Sequence, residues 1–188
     1  EQNRFFEKRL FYLFDDARPV VDLWVRTDDL VVVSATHDGY LRLADSIRHR
    51  RTIWAFLDIC SFAVLDEFTG KTSSEHRFET RFHTPLARVS PDDDAVIVLG
   101  ERASRPIHIG SFSLCSGRLT VKPTEIFPRY GVQETAHLIK YKHRSMLPFR
   151  NLTMITEKAM PIERIDDLQR AADRFKDRFE EIGVDSLG

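Results

Sequence analysis

The stretch Val31-Val32-Val33-Ser34-Ala35-Thr36-His37-Asp38-Gly39-Tyr40-Leu41-Arg42-Leu43, followed by His49-Arg50-Arg51-Thr52-Ile53, decides the fold class. Consecutive valines followed by Thr, Tyr and Ile suit a pleated, half-buried surface. Asp38-Gly39 supplies a turn or a bulge between the two runs. Polar side chains stand at set places in this apolar frame: His37, Tyr40 and Arg42 about the turn, His49 and Arg51 on the run that follows.

The same pattern extends outward in both directions. Residues 20–25 and 30–35 are β-branched runs joined by Thr27-Asp28-Asp29, a polar turn. Residues 49–56 alternate, with Ile53, Ala55 and Leu57 in register with His49 and Arg51 and with Trp54 and Phe56 opposite. Bulk on both faces predicts a central strand covered on both sides. Residues 62–65 form a short apolar strand that ends at Asp66-Glu67. In residues 76–83, Phe78, Thr80 and Phe82 oppose Arg77, Glu79, Arg81 and His83. A strand over 95–99 follows the polar turn Pro91-Asp92-Asp93-Asp94. Residues 107–114 and 119–121 read as a hairpin about Ser116-Gly117, and residues 135–141 and 146–155 as a last strand pair.

Many short strands at even spacing predict a mainly β protein: an antiparallel β-sandwich of stacked sheets, supersandwich-like, over residues 1–157. The period then changes. Ile165, Leu168, Ala172, Phe175, Phe179 and Ile182 step by three and four residues between Pro161 and Gly183. This predicts one amphipathic helix in a tail over 158–188. A lone helix of that length is marginal in water, so it docks on its own chain or on a partner, and an oligomer through this helix is one outcome.

Composition bounds the function. A chain of 188 residues suits one domain with an appendage and buries roughly 70% of its unfolded surface, so it folds without metal or disulfide. The balance of 28 basic against 29 acidic residues argues against nucleic acid or an anionic membrane as partner. A local basic patch remains open where Arg48, Arg50 and Arg51 flank His49. Cys60 and Cys115 lie in apolar runs, and their pairing is open. No stretch has membrane-spanning length. The chain opens on Glu1-Gln2-Asn3-Arg4 and reads as a piece of a longer protein.

Several chemistries find no support. Seven histidines occur, but none in a His-x-His, His-Glu-x-x-His or Cys-x-x-Cys arrangement. His76 and His83 fall on opposite sides of one strand, and His37 and His49 approach only if their strands pair. No metal and no cofactor is expected. Ser34 and Ser111 lie in strands without a nucleophile elbow, and Gly70-Lys71-Thr72 lacks the rest of a phosphate loop. His37, Tyr40, Arg42, His49 and Arg51 remain candidates for contact with an acidic sugar. The arginines could grip carboxylate or sulfate through paired bonds, and His37 and Tyr40 have proton-moving chemistry. The structural alternative is an ion-paired cluster with Asp38, Asp66 and Glu67 that pins strands together.

The ordered motifs His37-Asp38-Gly39-Tyr40, His49-Arg50-Arg51, Asp66-Glu67 with Gly70, His76 through His83, and Pro128-Arg129-Tyr130-Gly131 resemble the C-terminal β-sheet region of heparinase II/III-like polysaccharide lyases. The likeness runs from Phe11 to Ile155. It implies a parent with an N-terminal α/α toroid, periplasmic or cell-surface placement, and β-elimination on uronate-containing polysaccharide. It also implies that the proton-transfer Tyr and the His-x-His-x-Asp stretch lie outside this chain. No catalytic residue and no metal ligand is therefore carried over, and the fragment is expected to be inactive alone. The rival readings are a glycan-binding module and an assembly domain of a cell-surface polysaccharide pathway. The module needs a flat row of exposed aromatics, whereas Trp24 and Trp54 are expected inside strands.

Overall fold

The computed structural model describes residues 4, 7–8, 12–14, 16–71, 74–85, 87–92, 95–100, 105–113, 115 and 117–157. The tail expected over 158–188 lies outside the described residues, among which no helix occurs. Eleven strands form in chain order: β1 (Val20–Arg26), β2 (Leu30–His37), β3 (Arg48–Phe56), β4 (Ser61–Thr69), β5 (His76–Pro85), β6 (Ala87–Asp92), β7 (Ala95–Gly100), β8 (Ile107–Phe112), β9 (Gly117–Arg129), β10 (Val132–Ser145) and β11 (Phe149–Thr156). They make two antiparallel sheets. The larger runs β1-β2-β3-β4-β11-β8-β7-β6 and the smaller β5-β10-β9. The mainly β, antiparallel expectation is met.

Local chemistry explains the first hairpin. Thr27 N donates to Leu30 O at 2.8 Å, and the Thr27 hydroxyl donates to Asp29 Oδ1 at 2.7 Å, closing the turn between β1 and β2. The later pairings differ from those read along the chain. The expected hairpin about Ser116-Gly117 does not exist, because β8 pairs with β7 and β11 while β9 pairs with β10 in the other sheet. The expected pair of final strands is likewise split, with β10 in the smaller sheet and β11 between β4 and β8. Adjacent segments with a polar link look alike whether the chain turns back in one sheet or crosses to another. The actual hairpin joins β9 to β10 at Tyr130-Gly131, where Gly131 has φ 71°, a value that favours glycine.

The smaller sheet packs on one part of the larger. Ile139 and Tyr141 of β10 meet Val96, Val98 and Ile109 of β7 and β8, with Phe82, Leu119 and Val121 around them. The Tyr141 hydroxyl donates to Ile109 O at 2.6 Å across the gap. The cover is incomplete. Ala55, Phe62, Ile155, Ile109 and Val96 form one row across the larger sheet. Val96 is fully buried in that row while Phe62 is 45% exposed. In the next row Ile53 is also exposed, so β3 is interior to the sheet but open on that face, contrary to the expectation of cover on both sides. Its other face is buried at Thr52 and Trp54.

Candidate functional site

The site begins with register. His37 stands opposite His49, and His49 opposite Phe68, across β2, β3 and β4. Ala35, Arg51 and Asp66 make the parallel row two residues away. Period-two alternation therefore places His37, His49, Arg51 and Asp66 on one face.

The geometry dictates the protons. The Gly39 N–H donates to His37 Nδ1 at 3.2 Å, so the His37 ring proton is on Nε2. That proton points at His49 Nδ1, 2.9 Å away. His49 then carries its own proton on Nε2 and donates it to Asp66 Oδ1 at 2.6 Å. Arg51 holds the same carboxylate from the side, with Nε 2.8 Å from Oδ1 and Nη2 3.0 Å from Oδ2. The chain Gly39 to His37 to His49 to Asp66 is satisfied with both imidazoles neutral. Burial lowers the His37 pKa, and the neighbouring His49 and Arg51 lower it further. Burial opposes charge on Asp66, but the hydrogen bonds from His49 and Arg51, with the Arg51 charge, outweigh it and leave its pKa lowered.

The surroundings hold these groups still. The His49 ring stacks on Phe68 at 4.4 Å between centroids and 5° between planes. Phe68 meets Phe78 at 4.8 Å, and Phe78 meets Phe149 at 4.2 Å, so an aromatic column ties the cluster to the smaller sheet. Tyr40 lays its ring edge on His37 at 5.2 Å and lies within electrostatic reach of Arg51. Arg42 bonds back to Gly39 O and lies 3.9 Å from Asp16, bracing the turn.

The five residues singled out in the sequence thus divide. His37, Tyr40, His49 and Arg51 come together, whereas Arg42 serves the loop. The expected pinning cluster also divides. Asp66 is its centre, but Glu67, the next residue on the strand, faces the other way and pairs with Arg150 at 3.0 Å. Asp38 faces Arg48 at 3.7 Å near the surface. The basic patch left open at Arg48, Arg50 and Arg51 is not one, because each guanidinium faces a carboxylate, Asp22 being the partner of Arg50. Among the described residues no three His, Cys, Asp or Glu side chains are grouped to hold a metal. His37, His49 and Asp66 lie in a line of hydrogen bonds and do not converge on a point.

Two other expectations change. Trp54 is buried, but Trp24 is 67% exposed on the open face of the larger sheet, in the row of Val33, Ile53 and Val64. Cys60 sits exposed in the turn after β3 with φ 48°, and both cysteines are free. A buried group the sequence did not mark is His143. Its Nδ1 lies 3.1 Å from the Ser113 hydroxyl, and burial lowers its pKa. Its one sequence signal is a polar residue at an inward position of an alternating strand.

The fold has known counterparts. A solved heparinase III is 14% identical with a TM-score of 0.60, covering 75% of this chain and 22% of that one. The heparan sulfate lyase of Pedobacter heparinus is 12% identical with a TM-score of 0.59, covering 77% of this chain and 22% of that one. The chain thus spans about a fifth of the length of the solved proteins it matches. No curated protein sequence matches it. The sequence pattern described as "Heparinase II/III-like, C-terminal" matches residues 11–166. With that match covering most of its length, the chain belongs to the heparinase II/III-like family as a C-terminal domain of it.

Proposed function

We propose that this chain is the non-catalytic sheet portion of a lyase that cleaves uronate-containing polysaccharide by β-elimination, and that it buttresses the parent's catalytic toroid. One observation carries the reading: all four ring nitrogens of His37 and His49 are engaged within the protein. β-Elimination needs a base with a free lone pair aimed at the proton beside the carboxylate, and an acid for the departing oxygen. Neither imidazole has such a lone pair to offer, which supports placing the chemistry in other parts of the parent. Arg51 and Tyr40 keep a sugar-facing role. Asp66 occupies only Nε and Nη2 of Arg51, which is half exposed, so Nη1 can meet a uronate carboxylate.

The test is spectroscopic. Elimination leaves an unsaturated, ultraviolet-absorbing uronate. The 188-residue chain incubated with heparan sulfate or alginate is expected to produce none, and a rise in absorbance refutes the assignment. In the full parent, Asp66→Asn is expected to lower the melting temperature with kcat of the folded enzyme retained. A lost kcat at unchanged melting would instead place the network in the chemistry. The exposure of Trp24 favours a second reading, a glycan-binding module, which requires that Trp24 fluorescence respond to neutral glycans as well as acidic ones.

A further inference from the structure

The outer face of the smaller sheet concentrates positive charge that the reading above does not use. Across β5, β10 and β9, Arg77 stands beside Arg144, Glu79 beside Lys142 and Arg118, Arg81 beside Lys140 and Thr120, and His83 beside Leu138 and Lys122. The intervening Phe78, Phe82, Ile139, Tyr141, Leu119 and Val121 pack inward, so these side chains share the outward face. In these four rows seven Lys and Arg side chains meet Glu79 and, at the margin, Glu75, while Glu134 lies two rows beyond Leu138. That leaves the four rows at +5, so the remainder of a chain with net charge −1 sums to −6.

Glu79 cannot neutralise this array. It bonds Arg81 and also has Lys142 at 3.8 Å, Lys140 at 3.9 Å and Arg77 at 4.0 Å. One carboxylate shared by four cations leaves three charges unanswered. Arg118 and Lys122 form no ion pair among the described residues. Strand geometry spaces the cations about 7 Å apart along each strand and about 5 Å between strands. The result is a flat lattice of long donors on a rigid sheet.

We infer that the outer face of β5, β10 and β9 binds a linear acidic polysaccharide, at a surface separate from the His37–Arg51 cluster. Repeated charge along a flexible chain matches an extended charge lattice. The four charged rows of this face hold no Phe, Tyr or Trp ring to stack bases, which single-stranded nucleic acid binding uses, and His83 is their one ring. These four rows have no apolar wedge for a membrane either, Leu138 being the one aliphatic side chain in them. The demand for a polyanion comes from the lattice alone; the choice of polysaccharide rests on the function proposed above.

The test uses the whole chain and three probes: heparin, a single-stranded oligonucleotide, and vesicles of anionic phospholipid. Arg118→Glu/Lys122→Glu/Lys142→Glu is expected to weaken heparin binding about tenfold or more near 0.1 M salt. The slope of log affinity against log salt should fall by about 2, from roughly 0.7 per lost contact. The Arg118→Gln/Lys122→Gln/Lys142→Gln variant, checked for unchanged melting, should show the same direction. Arg26→Glu/Arg105→Glu, both away from β5, β10 and β9, should bind as the native chain does. Undiminished heparin binding by both triple variants overturns the inference. So does an equal loss in the control, or tighter binding of oligonucleotide or vesicles than of heparin. Heparin binding by a chain whose parent cleaves no uronate upholds this surface and sinks the lyase reading. Cleavage by a parent whose triple variant binds normally sinks this surface alone.

Discussion

Asp66 is the residue on which the cluster turns, since it accepts from both His49 and Arg51 while being almost fully buried. Asp66→Asn would put an N–H donor or a weaker acceptor where two donors converge. A broken buried pair costs about 3–5 kcal/mol, but Arg51 is half exposed, so about 2–3 kcal/mol is expected from urea unfolding. A loss under about 0.5 kcal/mol would mean the network does not stabilise the fold. The acid response follows from the protons. His37 and His143 have lowered folded pKa values and so bind fewer protons when folded. Stability is therefore full above about pH 6.5 and declines as pH falls through their folded values. Asp66, also lowered, adds a second loss below about pH 4. Melting temperatures measured from pH 8 to pH 3 should drop in those two stages, and NMR should show the His37 and His143 imidazoles titrating low. A flat profile down to about pH 5 contradicts the neutral-imidazole assignment. The His37–His49 approach was legible from strand pairing. The tautomers were not, because they depend on a backbone N–H that only the folded turn aims at Nδ1.

Strands β9 and β10 show what a small residue permits. A Cβ on Gly117 would stand 2.5 Å from Cε1 and 2.7 Å from Nδ1 of His143, its partner in register. Gly117→Ala is expected to cost about 1–3 kcal/mol by overpacking. Most of that cost should vanish in a His143→Ala background, giving a coupling of about 1 kcal/mol or more in a double-mutant cycle. Additive effects would show that the two positions do not meet. Ser116-Gly117 resembles a turn for good chemical reason, yet Gly117 opens a strand because His143 fills the space a side chain would need. Strand β6 teaches a similar point. Pro91 within it argues for a turn, but β6 is the last strand of its sheet, where a missing N–H is tolerated.

At the level of the molecule, the two sheets should unfold together because Ile139 and Tyr141 complete a core they share with β7 and β8. Both tryptophans, Trp24 and Trp54, lie in the larger sheet, whereas Ile139 lies in the smaller. Ile139→Ala removes a fully buried side chain and is expected to cost about 2–5 kcal/mol. Its effect should appear equally in tryptophan fluorescence and in far-UV circular dichroism. A fluorescence midpoint that stays put while the dichroism midpoint moves would mean the sheets unfold separately.

Sequence alone determined the strand-rich class, the β1–β2 hairpin, the shared face of His49 and Arg51, and the likeness to the family. Each of these rests on period-two alternation or local turn chemistry, which a linear chain displays directly. Tertiary structure decided which strands sit in which sheet, that Trp24 is exposed while Trp54 is buried, and that the free positive charge lies on β5, β10 and β9 and not beside His49. Those outcomes depend on partners many residues away. A carboxylate such as Asp22 cancels Arg50 only because β1 comes to lie in the same sheet, while Lys140 and Lys142 stay in excess because the register gathers more cations beside them than Glu79 can answer.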